Sequence, residues 1–264
     1  MGDAQKRGAQ IKPLRNIPQF FERTEPNALR QVDLLEDEKT AIGVVHGVFY
    51  LDDYSRYCVG GRFFSDKTED NVLQVGLDAV VQYGLPVEML SDNGTQFQVM
   101  DEQARAGGSK TRYQAGWEAL GVKVTFAAPY HPQTKGKQER FNRFVKEDFL
   151  DEVREKVTSL DDLNGRFAEW QRWYNEHWQH SALNFKPPLS RYRPGMKIAT
   201  ETLWQTFAKE ETRKVRLNGK IQVGKSFYQL PKGWERNRVR IYRFGNKMKV
   251  IGSKENRLLG EWVL

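Results

Sequence analysis

The sequence GVVHGVFYLDDYSRYCVGGRFF occupies residues 43–64 and consists of two apolar halves on either side of Tyr54-Ser55-Arg56. Both halves are rich in β-branched and aromatic residues, so the stretch predicts two long strands joined by a turn. The sequence ALRQVDLL, residues 28–35, predicts another strand just before them. This region of the chain is therefore expected to be β-rich.

Helical and strand patterns follow one another after residue 64. The apolar positions of residues 68–83 predict a helix that Gly84-Leu85-Pro86 ends. Short apolar runs at residues 87–92 and 122–128 predict two further strands. The polar, glycine-containing residues 98–112 between them are expected to form a surface insertion.

Two helices are predicted beyond the loop that Pro129, His131 and Pro132 impose. The first extends over about residues 134–157, and the second begins at Ser159, where Ser-x-x-Asp is a capping-box-like start. The apolar stripe of the second helix is interpreted as core rather than as a cofactor site, and it consists of Leu160, Leu163, Phe167, Trp170 and Tyr174.

The C-terminal part of the chain has a different pattern. A linker is predicted after Pro187-Pro188, and an all-β region is predicted from about Arg213 onwards. Asn218-Gly219 is a strong hairpin signal. Five short strand patterns in this region predict a small barrel.

The charge of the chain is concentrated at its C-terminal end. The 264 residues have a formal net charge of +8, and residues 201–264 hold 15 Lys and Arg against 6 Asp and Glu, whereas residues 1–200 hold 27 against 28. A basic region next to a nearly neutral one favours a polyanionic partner such as nucleic acid, with solubility as the alternative.

No apolar run or N-terminal signal pattern predicts a membrane helix or a leader. Because Cys58 is the single cysteine, an internal disulfide and a His/Cys zinc site are excluded.

Three acidic residues lie where catalytic groups are often found. Asp33 lies inside an apolar strand pattern, Asp92 ends another, and Glu139 lies near the start of a predicted helix and off its apolar face. Three carboxylates would converge if these elements pack together. Taken singly, Asp92 could equally be a turn residue before Gly94, and Glu139 a solvated helix position.

Convergence of carboxylates has an electrostatic consequence. Two of them at about 4 Å repel by about 4 kcal/mol at an effective dielectric near 20. A divalent cation relieves that repulsion, and oxygen-only ligands favour Mg²⁺ or Mn²⁺. Two such ions suit an in-line phosphoryl transfer.

Several motifs, in the same order along the chain, resemble the integrase and transposase core of the DDE family. The motif DDYSR, residues 52–56, is similar to the second-strand motif of bacterial insertion-sequence transposases. The other matching motifs are QVD (residues 31–33), SDNGTQF (91–97), HPQTKGKQER (131–140) and HSAL (180–183) with Pro187. The similarity covers about residues 20–190. The segment from Arg213 to Leu264 is similar to the small barrel that follows the core in Mu-type transposases and retroviral integrases.

The resemblance implies the α/β fold class and a division of the chain. It implies a ribonuclease H-like core, which is a five-stranded mixed sheet flanked by helices, followed by a small all-β barrel of the Src-homology-3-like type. We expect an extended lead-in at residues 1–28, the catalytic core at 29–185, a linker at 186–210 and a DNA-binding barrel at 211–264.

The resemblance also implies a chemistry. Asp33 would bridge two Mg²⁺ ions, with Asp92 on one ion and Glu139 on the other, and Mn²⁺ is expected to substitute. Water would free a 3′-hydroxyl at the end of a mobile element, and that hydroxyl would attack a target phosphodiester. No nucleophilic Tyr or Ser is expected, because no covalent protein–DNA intermediate is needed.

The partners implied are the double-stranded DNA of the element ends and of the target, at least one further copy of the chain, and accessory transposition proteins. No membrane is expected, and in a bacterial host the protein would be cytoplasmic and nucleoid-associated. The predicted DNA contacts, for which a solvated surface is the alternative, are Lys135, Lys137, Arg140, Arg143, Arg236, Arg238 and Arg240.

The sequence departs from the family pattern in three ways. The spacing between Asp92 and Glu139 has 46 intervening residues, more than the family's usual spacing, and we assign the excess to the insertion at 98–112. Arg30 stands where a Trp is common. The first 28 residues are too few for a helix-turn-helix or zinc domain, so either the chain is shortened or another protein recognises the element ends.

Two further motifs are interpreted as structural. Asp52 and Asp53 point to opposite strand faces, so only one could reach a metal site, and a turn role is favoured. Residues 219–226 match the Walker A pattern literally, but their context of hairpin and strand excludes the helix that the motif needs. Cys58 is expected to be an inert buried thiol.

Two other functions remain open from the sequence. One is a catalytically silent DNA-binding or assembly protein derived from a transposase, which the presence of all three acids disfavours. The other is a ribonuclease H-like nuclease, which the SDNGTQF and HPQT motifs disfavour.

Overall fold

The central feature of the molecule is a mixed five-stranded sheet with the strand order β3-β2-β1-β4-β5. The computed structural model describes residues 22–127, 136–244, 247–253 and 256–263. The three N-terminal strands pair antiparallel, and β4 and β5 continue the sheet in parallel beside β1. The strands are β1 (Arg30–Thr40), β2 (Gly43–Asp52), β3 (Cys58–Phe64), β4 (Glu88–Ser91) and β5 (Lys123–Phe126).

Helices cover both faces of this sheet. One apolar cluster joins the sheet to α1, α3 and α7, and a second joins it to α4 and α6. The helices are α1 (Glu69–Tyr83), α2 (Glu102–Ala106), α3 (Arg112–Ala119), α4 (Gly136–Phe144), α5 (Asp151–Val153), α6 (Leu160–Glu176) and α7 (Thr200–Phe207). This is the ribonuclease H-like architecture that the resemblance implied. None of the helices described is both long and apolar enough to span a membrane.

Side chains of β1 alternate between the two clusters, and this alternation determines where Asp33 lies. Val32 is buried in the cluster with α1, whereas Leu35 packs on the cluster that contains α4 and α6. Because successive residues of a strand point to opposite faces, Asp33 lies on the α4 side of the sheet.

The predicted helices begin at the caps that the sequence offers. Thr68 accepts a hydrogen bond from the Asn71 amide at the start of α1, and Ser159 accepts one from the Asp162 amide at the start of α6. The helix predicted over about 134–157 is divided in the structure. It consists of α4, a π-helical turn at Val145–Leu150 and α5, while residues 134–135 and the loop at 129–132 lie outside the described residues.

The insertion at residues 98–112 was predicted correctly as polar surface, and it contains the exposed helix α2. The helix after it, α3, was not predicted. Its apolar signal is limited to Tyr113 and Trp117, both fully buried, within an otherwise polar segment. Two large aromatic residues one turn apart are enough to anchor the helix, because each buries a large area.

The segment predicted as a linker, residues 186–210, is folded onto the core over much of its length. Tyr192 is buried and stacks on Tyr57 with ring centroids 4.2 Å apart. Helix α7 buries Leu203 and Phe207, and the Phe207 ring lies 4.8 Å from that of Trp117 on α3. Parts of the predicted linker therefore pack on the core, and the proposed domain boundaries stay a prediction.

In its described residues the C-terminal region is all-β, as predicted, with six strands where five were expected. A four-stranded antiparallel sheet has the order β11-β10-β9-β6, and β7 and β8 form a separate hairpin. The strands are β6 (Lys209–Lys214), β7 (Lys220–Val223), β8 (Ser226–Gln229), β9 (Arg238–Phe244), β10 (Lys247–Gly252) and β11 (Leu258–Val263). The predicted hairpin signal Asn218-Gly219 forms a turn before β7, whereas the β7–β8 hairpin turns at Gly224-Lys225. Strand β6 has no apolar alternation because it is a largely exposed edge strand.

Candidate active site

The first two candidate acids lie on neighbouring parallel strands. Strand β1 pairs with β4 in the register Gln31 to Leu90. Two residues further along this register, Asp33 on β1 comes beside Asp92, which directly follows β4. Asp33 is partly buried and faces α4, and Asp92 is also partly buried. The parallel register therefore brings these two carboxylates to one edge of the sheet.

A tight turn holds Asp92 in place. Its Oδ1 accepts a hydrogen bond from the Gly94 amide at 2.9 Å. A Cβ on Gly94 would lie 3.0 Å from that same oxygen and 2.7 Å from Oε1 of Gln96, so a larger residue would displace these two side-chain oxygens. Phe97 closes the turn because its ring is fully buried against Tyr113, with centroids 5.2 Å apart. The SDNGTQF motif is thus a structural unit that presents one acid.

Helix α4 is fixed against Asp33 by a residue that the sequence did not single out. Nδ2 of Asn142 donates to Oδ2 of Asp33 at 3.0 Å, and Nε2 of Gln138 donates to the Phe49 carbonyl at 3.4 Å. Asn142 lies three residues after Glu139, so the two share one side of the helix. In the sequence, only the three-residue spacing from Glu139 could have indicated a role for Asn142.

Glu139 lies in the first turn of α4 and is exposed. Among the residues that the structure describes, which include all three candidate acids, no group of three His, Cys, Asp or Glu side chains is arranged to hold a metal ion. The structure therefore places Asp33 beside Asp92 in the parallel register and α4 against Asp33. Convergence of all three stays a prediction.

Asp52 and Asp53 have the structural roles that were favoured. Asp52 is buried and accepts from the backbone amides of Ser55 at 2.8 Å and Asn27 at 2.7 Å. Burial raises the pKa of Asp52, and the hydrogen bonds oppose that shift. Asp53 is also fully buried, and its Oδ1 accepts from Nε2 of Gln31 at 2.7 Å.

Lys137 differs from the expectation of a DNA contact. Its Nζ lies 2.7 Å from Oδ1 of Asp53, and only 13% of its side chain is exposed. Burial lowers the pKa of Lys137, whereas the hydrogen bond with Asp53 raises it. Lys137 therefore points into the protein, where its ammonium group pairs with the buried carboxylate of Asp53.

The other predicted DNA contacts on α4 are Arg140 and Arg143, and both are exposed. Lys135 lies outside the described residues. Burial, together with the charges of Arg56 and Arg140, lowers the pKa of His180 to about 4.

The C-terminal candidates lie on and beside β9. Arg236 and Arg238 are exposed, and Arg240 is partly exposed and bonded to Asn256. On β9 the apolar residues Val239 and Ile241 alternate with these arginines and are fully buried. Arg238 and Arg240 therefore lie on the outward face of the four-stranded sheet, and Arg236 lies in the turn before it.

Two other expectations are met. The Walker A match falls on β7, a turn and β8, so no helix follows it. Cys58 is fully buried, and burial raises the pKa of its thiol. Arg30 stands where the family commonly has Trp, and its side chain is buried. Its guanidinium donates a hydrogen bond to Oδ1 of Asn27 at 2.6 Å, and burial lowers the pKa of Arg30.

Comparison with protein families identifies the class. Residues 23–132 and residues 120–188 match two family models, each described as an integrase core domain. Together the matches span residues 23–188, which is more than half of the chain. The chain belongs to the DDE integrase and transposase family.

Three solved structures are similar in fold. A chain of the simian T-cell lymphotropic virus intasome in complex with PP2A regulatory subunit B56 gamma is 15% identical, with a TM-score of 0.50. The match covers 96% of this chain and 82% of that one. The HTLV-2 integrase catalytic core domain in complex with magnesium is 16% identical, with a TM-score of 0.48, covering 64% and 99%. The BIV integrase catalytic core domain is 19% identical, with a TM-score of 0.47, covering 63% and 93%.

Proposed function

We propose that this protein is a transposase or integrase that cuts DNA at the ends of a mobile element and joins those ends to target DNA. The observation that carries the proposal is the geometry around Asp33. Its strand runs parallel to the one that ends at Asp92, and α4 is bonded to it through Asn142, one turn from Glu139. Family membership and this arrangement support the proposal that Asp33, Asp92 and Glu139 form the site.

The donor set fits hard divalent cations. Asp33, Asp92 and Glu139 supply only carboxylate oxygens, which suit Mg²⁺ or Mn²⁺ rather than zinc. These three residues would hold the two ions. When bound, such ions stabilise the attacking and leaving oxygens of an in-line displacement. The amide of Asn142 would orient the Asp33 carboxylate, because its hydrogen bond fixes one of the two oxygens.

The reaction we propose has two displacements at phosphorus. Water attacks the phosphodiester at the element end, the bond to the 3′-oxygen breaks, and a free 3′-hydroxyl results. That hydroxyl then attacks a target phosphodiester, which forms the new junction and releases a 3′-hydroxyl of the target. The protein holds the DNA through phosphate contacts, for which the exposed Arg140 and Arg143 on α4 and Arg236 and Arg238 beside β9 are the best candidates.

A joining assay tests this proposal against the two other functions. A labelled duplex with a free 3′-hydroxyl is incubated with supercoiled plasmid, the protein and Mn²⁺, and a matched duplex ends in a 3′-deoxy nucleotide. We expect labelled plasmid with the first duplex and none with the second. Nicked plasmid without joined label would indicate a nuclease. Salt-sensitive DNA binding with neither product would indicate a silent DNA-binding protein.

Assembly is part of the proposal. Cutting and joining two element ends requires two active sites, so we propose at least a dimer on double-stranded DNA, with accessory transposition proteins as further partners. Sedimentation of the protein with and without a DNA duplex measures this directly.

A further inference from the structure

The carboxylate of Asp53 connects the two elements that carry the first and third candidate acids. Its Oδ1 accepts from Nε2 of Gln31 on β1 at 2.7 Å and from Nζ of Lys137 on α4 at 2.7 Å. Gln31 is two residues before Asp33, and Lys137 is two residues before Glu139. One oxygen atom therefore contacts both β1 and α4, in each case two residues before the candidate acid.

The position of Asp53 makes this contact rigid. Asp53 is fully buried and follows the last residue of β2, and Lys137 also lies 3.3 Å from its backbone carbonyl. The Arg23 amide donates to the second carboxylate oxygen, Oδ2, at 2.8 Å. A buried charge must keep its partners, because an unpaired carboxylate is strongly disfavoured away from water. The first turn of α4 is thus tied to the sheet.

We infer that Asp53 is a positioning residue, which acts through Lys137 and Gln31 to set the first turn of α4, and with it Glu139, relative to Asp33. The inference rests on the proposed function for those two acids. It reassigns Lys137 from DNA contact to internal support. It also gives the DDYSR motif a role in the site, although neither of its acids is a candidate metal ligand.

Three variants test the inference in the full chain: Asp53→Asn, Lys137→Met and the double variant. Nicking of supercoiled plasmid in Mn²⁺ should fall about 100-fold in each single variant, since a displacement of about 1 Å can have that effect. The double variant should be no worse than either single one, because both act through one contact. A further variant, Lys137→Arg, should keep much of the wild-type nicking rate, since it retains the positive charge.

Two measurements distinguish positioning from DNA binding and from folding. Gel shifts over a range of salt concentrations should give the same affinity and salt slope for wild type and Lys137→Met. Amide hydrogen exchange of residues 136–142, without DNA or metal, should become faster in Asp53→Asn. The matched control is Asp52→Asn, because Asp52 is adjacent and equally buried but bonds to Ser55 and Asn27 rather than to α4. It should leave that exchange unchanged.

Each contrary result has a definite meaning. A salt slope lower by about one in Lys137→Met, with Asp53→Asn unaffected, would make Lys137 a phosphate contact and overturn the inference. Equal exchange changes in Asp52→Asn and Asp53→Asn would overturn it as well, because only the turn would then be disturbed. If wild type does not nick DNA but the exchange results hold, the positioning stands and the proposed function fails. If the single variants do not fold, the double variant, which removes both charges of this contact, carries the exchange test.

Discussion

The hydrogen bond between Asn142 and Asp33 offers a sharp perturbation of the candidate site. Asn142→Asp keeps the shape of the side chain and replaces the amide that lies 3.0 Å from Oδ2 of Asp33 by a carboxylate. The substitution therefore replaces a hydrogen bond with a repulsion between two carboxylates, and the packing of the side chain is kept. Asn142 is buried and Asp33 is partly buried, so neither can turn away freely.

The magnitude follows from two contributions. Two unit charges at about 4 Å repel by about 4 kcal/mol at an effective dielectric near 20, and the lost hydrogen bond to a charged group contributes about 1.5–3 kcal/mol. Solvent at the partly buried Asp33 screens the repulsion and one carboxyl can take up a proton, so we expect the free energy of unfolding at pH 7 to fall by about 2–4 kcal/mol.

Metal and pH should both reverse this loss. A divalent ion between the two carboxylates removes the repulsion, and at 100 times its dissociation constant it adds about 2.7 kcal/mol of stability. Two neighbouring carboxylates raise each other's pKa in the folded state, so the loss should develop as the pH rises above about 4 and disappear below it.

Urea denaturation with and without Mn²⁺ measures these effects. Asn175→Asp is the matched control, because Asn175 is equally buried but bonds to the backbone of Cys58. That variant should also be destabilised, and Mn²⁺ should stabilise it no more than it stabilises wild type. The reasoning is refuted if Asn142→Asp changes stability by less than about 0.5 kcal/mol, the ordinary range for a neutral surface substitution, or if Mn²⁺ stabilises both variants equally.

Three further predictions concern the core and its titratable groups. Phe207→Ala should lower the free energy of unfolding by about 3–5 kcal/mol in urea denaturation, because the ring is buried against Trp117; a loss below about 1 kcal/mol would show that α7 is not part of the core. Cys58 should react with a thiol reagent at pH 8 only after unfolding, since burial raises its pKa, and rapid labelling of the native protein would contradict this. His180 has a folded pKa of about 4, below its unfolded value near 6.5, so it stabilises the protein above pH 6.5, and that stability is lost as the pH falls to 4. In His180→Gln the decline of the melting temperature over that range should be smaller, and an identical pH profile would contradict the assignment.

The elements with strong local signals could be predicted from the sequence. Strands β2 and β3 have dense β-branched and aromatic residues, and the ends of α1 and α6 carry residues that cap helices through their own side chains. Thr68 and Ser159 make those capping bonds in the structure. Local chemistry decides such features, so no knowledge of the rest of the chain was needed.

The elements that depend on distant partners could not be predicted in this way. Helix α3 has only two large apolar residues, and α7 is short and has no capping side chain at its start. Each is stable because it packs on the other, and the contact between Trp117 and Phe207 joins residues far apart in sequence. Strand β6 is polar along its length and is held by backbone pairing with β9.

The same distinction applies to the candidate site. Motif order indicates Asp33, Asp92 and Glu139. The parallel register agrees with Asp33 lying beside Asp92. The packing of α4 places Asn142, one helical turn from Glu139, against Asp33. The partners of the carboxylates were beyond sequence reasoning. Lys137 was expected to face DNA because its charge and its place near Glu139 suit that role, yet the buried Asp53 holds it inside.

The central claim is that Asp33, Asp92 and Glu139 form a metal-dependent site for DNA cleavage. The most direct test is nicking of supercoiled plasmid in Mn²⁺ by wild type and by Asp92→Asn, with DNA binding checked by gel shift at two salt concentrations. The account predicts metal-dependent nicking by wild type, its loss in the variant, and the same salt-sensitive DNA binding in both. Equal nicking by the two proteins would contradict it.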